Sequence, residues 1–187
     1  MTNTTMESNS LLIRPTVFDD CRYFAQWMEA DPEVSQFFTM DQGRDFNEIA
    51  EEFVVRTLDK TMLQLTIVSK EAEEPIGRIW ISRIDTHANS LDITRIYIGN
   101  KEFRGRGLGE ESLRLLLEYC FISLHMERVT LDHMPENKRA ASLYQKLGFQ
   151  YEGCMRHAGN KDGVYVDLML MSMLRSEYYA NLRDERM

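Results

Sequence analysis

Cysteine is scarce in these 187 residues: Cys21, Cys120 and Cys154 stand far apart, with no CxxC pair among them. A disulfide framework and a thiolate zinc site are both unsupported, and reduced thiols in a cytoplasm are the expectation. Long apolar runs are also lacking. The greasiest stretch, residues 113–126, is broken by Arg114, Glu118 and His125, and the opening residues carry neither a basic start nor an apolar core. A chain that spans no membrane and carries no secretory leader is expected. Positive charge is in short supply: 22 Lys and Arg face 30 Asp and Glu, a net charge of -8. That field opposes a broad nucleic-acid surface. With 43% hydrophobic residues the chain can close one sizeable core, so one domain is expected.

Residues 1–10 are polar and read as a disordered leader, with the domain over 11–178 and a short tail over 179–187. Residues 11–14 read as a strand stopped by Pro15. Phe24, Trp27 and Met28 recur at helical spacing within 16–30, with Thr16 as the N-cap, and Phe46, Ile49, Phe53 and Val54 face inward in a second helix over 44–58. The period then changes to two. Residues 62–69 and 76–84 form a hairpin, 90–98 a third strand, and 128–132 a fourth after a helix with Leu113, Leu116, Leu117, Cys120 and Leu124 on its apolar face. A further helix over 136–147 stops at Gly148, and strands over 149–156 and 164–173 flank a turn at 160–163. The order argues for an α/β fold, a single domain with a mixed sheet flanked by helices.

The strongest local signal is Arg104, Gly105, Arg106, Gly107, Leu108 and Gly109, between a β-rich run and an amphipathic helix. Alternate glycines permit positive φ and close approach, and the free amides at the head of a helix suit a pyrophosphate. Dinucleotide spacing would need glycine at position 110, where Glu110 stands, and no Gly-Lys-Ser/Thr ending completes a Walker loop. A second constellation runs from Asn137 to Phe149. On a helix, Asn137, Ala141 and Tyr144 share one side and Leu143 and Leu147 another, so a phenol faces either a ligand or water.

Together the two motifs, Arg-x-x-Gly-x-Gly at 104–109 and Asn-x-x-Ala-x-x-x-Tyr-x-x-x-Gly-Phe beginning at Asn137, closely resemble the GNAT superfamily of acetyl-CoA-dependent N-acetyltransferases. The closing run from Gly163 to Asp167 resembles the branch of RimJ/RimL-like and spermidine acetyltransferases. The resemblance implies a splayed central strand pair. It implies that residues 104–109 hold the CoA pyrophosphate and that Ile96, Tyr97 and Ile98 pair with the pantetheine arm. Asn137, with Arg139 and Ala140 beside it, matches a cofactor-contacting position, and Tyr144 matches the general acid that protonates the departing thiolate. Many relatives carry Glu on the strand where this chain reads Asp92-Ile93-Thr94-Arg95, and the link to the loop is one residue longer here.

An alkylammonium, with a reference pKa near 10, must lose a proton before it attacks a thioester. Asp92 is the candidate for that relay, as against a solvated carboxylate, and a strand amide near Tyr97 or Ile98 for the oxyanion. No metal is required: His87, His125, His133 and His157 lack ligand spacing. The alternating Met169, Met171 and Met173 read as core or as a subunit contact, which leaves room for a homodimer. The expected reaction moves acetyl from acetyl-CoA to a primary amine, on a small molecule or at a peptide N-terminus. A polyamine acetyltransferase and a noncatalytic acyl-CoA sensor are the alternatives. The acidic run Glu29, Asp31, Glu33, Asp41 and Asp45 is either a solvated face or an attractor for a cationic acceptor.

Overall fold

The computed structural model describes residues 4–39 and 44–184. Residues 1–3 and 185–187, at the far ends of the expected leader and tail, lie outside the described residues, as does Asp41.

The chain runs through β1 (Met6–Glu7), β2 (Leu11–Pro15), α1 (Cys21–Ala30), α2 (Phe46–Thr57), β3 (Leu63–Ser69), β4 (Glu74–Asp85), β5 (Ser90–Ile98), α3 (Leu108–Glu118), β6 (Arg128–His133), α4 (Lys138–Lys146), β7 (Gln150–Lys161), β8 (Val164–Leu174) and α5 (Arg175–Asp184). One sheet takes all eight strands in the order β1-β2-β3-β4-β5-β6-β8-β7. A mixed sheet flanked by helices is the architecture expected from the order of periodicities.

Expectations need correction at both ends of the chain and ahead of α1. The leader is shorter than ten residues: Met6 pairs with Ile13 and is buried, and Glu7 pairs with Leu12 while its carboxylate meets Lys70 at 2.8 Å. Here sheet pairing overrides a polar composition. The tail is shorter too: α5 runs on from the expected domain through residue 184, and its Tyr178 ring stacks on Phe121 at 4.8 Å. Thr16 does not cap α1. Asp20 receives the Val17 N–H at 2.9 Å, a forked pair of bonds from Arg14 at 2.7 and 2.9 Å and the Thr66 hydroxyl at 2.7 Å, and the Thr16 hydroxyl instead donates to the Thr66 oxygen at 3.1 Å. A carboxylate is the stronger acceptor, so the turn Phe18–Asp20 forms ahead of the helix.

Helix α2 starts with a reciprocal capping box between Asp45 and Glu48, each bond 2.9 Å. Its buried stripe is Ile49 and Ala50, narrower than expected, with Phe46 and Val54 turned outward. That stripe meets Phe24, Trp27 and Met28 of α1 in a small core covering one face of the sheet. On β4, Ile79 and Ile81 belong instead to the larger core with Leu113, Leu116 and Leu117 of α3, so Arg78 and Trp80 point to the α1–α2 side.

The functionally decisive feature is the β5–β6 pair. All other neighbours in the sheet are antiparallel, whereas β5 and β6 run parallel and pair only at Ser90–Arg128, Leu91–Val129 and Asp92–Thr130. Beyond Asp92 the two strands part, leaving one edge of residues 93–98 without a strand partner.

Candidate active site

The turn after β5 is braced before it can bind anything. The Arg104 guanidinium donates to the carbonyls of Ile98 and Gly99 at 3.0 and 2.8 Å and to Asp31 at 2.7 Å. Its side chain is thereby committed to holding the loop, and Asp31 is tied to that loop rather than standing as a solvated or acceptor-attracting carboxylate. Gly105 and Gly107 both adopt left-handed φ, +75° and +81°, and Gly107 is the N-cap of α3. The first intrahelical bond runs from the Glu111 N–H to Gly107, so the amides of Leu108, Gly109 and Glu110 have no helical partner. A Cβ built at Gly105 or Gly107 would meet nothing within 4 Å, which is the open cradle a pyrophosphate needs.

Charge at the cradle has been settled around that purpose. Glu110 is paired with Lys146 at 2.6 Å, which holds its carboxyl below the usual range, and Glu111 accepts the Ser8 hydroxyl at 2.5 Å. Arg106 lies over Phe103 at 5.0 Å with its side chain half exposed, the cation best able to reach a phosphate. The residues present therefore fit a CoA pyrophosphate at 105–110 and a pantetheine arm along the free edge of Ile96, Tyr97 and Ile98. Asn137 is the N-cap of α4 and accepts the Ala140 N–H at 3.1 Å, so its side-chain oxygen serves the helix; Arg139 is exposed beside it.

On β5 a bulge sets the direction of the side chains. Ile93 pairs with Ile81 and Arg95 with Trp80, so Thr94 is one residue too many for the ladder. The bulge places Asp92, Arg95 and Tyr97 on one face, opposite Ser82, Trp80 and Arg78 respectively. Asp92 is almost fully buried and held by three groups: the hydroxyls of Thr94 and Thr130 at 3.0 and 2.8 Å and the Arg83 guanidinium at 3.5 Å.

Next to it stands a carboxylate the sequence did not single out. Asp132 lies two residues past Thr130 on the same face of β6, at the point where the strands have parted. Burial pushes its carboxyl up to about 6, and the neighbouring Asp92 charge adds to the rise. Tyr144 on α4 is buried, with its ring 6.2 Å from that of His133, the residue after Asp132. Burial and then Asp132 push its phenol up to about 12, so it keeps its proton at neutral pH. Strand alternation from Thr130 could have revealed Asp132, but only once the register with Asp92 was known. Among the described residues no three His, Cys, Asp or Glu side chains gather as metal ligands, and no helix is long and apolar enough to cross a membrane.

The profile of the family described as "Acetyltransferase (GNAT) domain" matches residues 10–150. An uncharacterized N-acetyltransferase, p20, of Bacillus licheniformis is 27% identical over 180 residues, covering 93% of this chain and 98% of that one. The spermidine N(1)-acetyltransferase of Escherichia coli K12 is 25% identical over 173 residues, covering 92% and 90%. Among solved structures, spermidine N-acetyltransferase from Vibrio cholerae in complex with CoA and spermine superposes with a TM-score of 0.81 at 22% identity, over 92% of this chain and 99% of that one. Since the profile takes in both the cradle at 104–109 and the tyrosine of α4, the chain belongs to the GNAT acetyltransferases, enzymes that transfer acetyl from acetyl-CoA to an amine.

Proposed function

We propose that this N-acetyltransferase works at the fork between β5 and β6, with Asp132 taking the proton of the acceptor ammonium and Tyr144 giving one to the leaving thiolate. The observation that carries the reading is the place of Asp132 beside the buried Asp92 where β5 and β6 part, with the buried Tyr144 near enough for the Asp132 charge to help keep its phenol protonated. Bound acetyl-CoA supplies the thioester. Asp132, ionised above pH 6, accepts the ammonium proton and frees the lone pair, and Asp92 keeps it basic by repulsion. An amide on the free edge near Tyr97 or Ile98 receives the oxyanion. Tyr144 then neutralises the sulfur as the bond to carbon breaks.

The acceptor is a primary amine, on a small molecule or at a peptide N-terminus, reached from the α1–α2 face; the compartment is the cytoplasm. Release of free CoA thiol in the presence of a mixed amine panel tests the reading. Amine-dependent release that falls steeply in Tyr144→Phe is expected; cofactor binding with no turnover on any amine would make the chain an acyl-CoA sensor.

A further inference from the structure

The α1–α2 face carries a local charge opposite to that of the whole chain. Around Trp80 stand three guanidiniums, Arg56 at 4.0 Å, Arg95 at 5.1 Å and Arg78 at 5.7 Å from the ring centroid. Arg95 also lies over Phe38 at 4.4 Å, and Arg78 over Phe24 at 4.6 Å. Arg44 completes the group from the start of α2. Against these four cations stands Glu52, and both its oxygens are already taken, by Arg44 at 2.8 Å and Arg56 at 3.0 Å. Neither Arg78 nor Arg95 has an ion pair among the described residues. This concentration occurs in a chain of net charge -8.

A second observation concerns hydrogen bonds. Buried polar groups are ordinarily satisfied. Here the Nε of Arg78 and the Nε1 of Trp80 are buried donors with no partner, in residues only 1% and 4% exposed. Arg78 does place one terminal nitrogen on Gln64 at 2.7 Å and reaches the Tyr97 hydroxyl, and Glu52 faces it from α2. The Nε of Arg78 and the Nε1 of Trp80 still lack acceptors, and further cations cannot supply them. Burial drives the Arg95 pKa down to about 10 against the opposing pull of Tyr97 and Glu52, so the charges already present do not offset its desolvation.

We propose that the acceptor of this enzyme is a small primary amine that also bears an anionic group, a carboxylate or a phosphate, which Arg95 receives above the Arg78 and Trp80 donors. The register supports the dimensions: Asp92 and Arg95 face Ser82 and Trp80, two rungs apart on β4, or roughly 7 Å along the strand. One short molecule thus presents its amine at the Asp92–Asp132 end and its anion at Arg95. A polyamine would instead bring further positive charge against four guanidiniums.

The proposal rests on the acetyl-transfer reading, and kinetics with binding separates the two. With the full chain and acetyl-CoA, kcat/KM is compared for γ-aminobutyrate, ε-aminocaproate and aminoethylphosphonate against n-butylamine and spermidine. The anionic amines should lead by about ten- to hundred-fold, the range of charge-assisted hydrogen bonds, with the carboxylate and phosphonate arms telling which anion is preferred. Arg95→Gln should collapse that preference toward unity through KM, and Arg95→Lys should restore part of it. Turnover that favours spermidine or n-butylamine, or an equal loss for all amines in Arg95→Gln, would overturn the proposal while leaving acetyl transfer intact. Calorimetric binding of an anionic amine to the CoA-loaded chain without turnover would instead uphold the anion site and overturn the catalytic reading.

Discussion

Residues 104–109 offer backbone amides, whereas the α1–α2 face offers side chains drawn from α2, β4 and β5. The two regions meet at β5 and solve different problems. A pyrophosphate is recognised by N–H groups at a helix head, so it needs left-handed φ at Gly105 and Gly107 and room above them. The proposed acceptor site works by charge and shape, and it rests on Arg78, Trp80, Arg95 and Glu52 brought together across the sheet. The lesson is that the cofactor side depends on backbone conformation and on the one side chain, Arg104, that braces it, whereas the acceptor side depends on a set of side chains brought from several strands and a helix.

The variants that sharpen this contrast most are on the catalytic fork. Tyr144→Phe keeps the ring against Phe149, at 6.0 Å, and removes only the proton donor. Turnover should fall by about 10²- to 10⁴-fold with cofactor affinity little changed, as read by thiol release and calorimetry. Arg104→Ala removes the brace between the loop, Asp31 and two carbonyls. A lower denaturant midpoint is expected, with weaker cofactor binding, because the two carbonyls and the Asp31 carboxylate lose their shared partner. Gly107→Val must hold a branched residue at φ +81°, a strain of roughly 1–2 kcal/mol, and sets its side chain in the cradle. The CoA dissociation constant should rise by about ten-fold or more; unchanged affinity in a folded variant would move the pyrophosphate elsewhere. Asn137→Ala, which deletes the cap of α4, should cost about 1 kcal/mol in thermal unfolding.

What the sequence made legible follows the same division. The glycine turn, the α4 tyrosine and the strand over residues 90–98 were readable because each depends on local spacing. Backbone recognition leaves its signature in consecutive residues. Met6 and α5 were missed because a short strand and a tail helix are stabilised by partners distant in sequence, Ile13 and Phe121. Asp132 was missed for a related reason: its importance comes from the parallel register of β6 with β5, which no local pattern reports. The arginine face depends in addition on the bulge at Thr94, without which Arg95 would point away from Trp80. The acidic run Glu29, Asp31, Glu33, Asp41 and Asp45 was open to two readings, a solvated face or an attractor, and of these residues Asp31 serves Arg104 and Asp45 caps α2.

Asp132 also links function to stability. Its carboxyl, near 6 in the fold against 3.8 for the ordinary group, binds its proton more tightly in the native state. Its ionisation therefore lowers stability as pH rises from about 4 to 6, by about 3 kcal/mol at most for a partly buried group. Asp132→Asn should consequently be more thermostable than the native chain at pH 8, and the difference should shrink toward pH 4.

The most direct measurement is the pH dependence of kcat/KM for the native chain and Asp132→Asn with the same amine. The native enzyme should show a limb rising with unit slope to a break near pH 6, set by the raised Asp132 carboxyl. In Asp132→Asn that break should vanish and the plateau rate fall by about 10²-fold or more. An unaltered limb and plateau in the variant would contradict the account, because the proton would then leave the acceptor by a route that does not involve the β5–β6 fork.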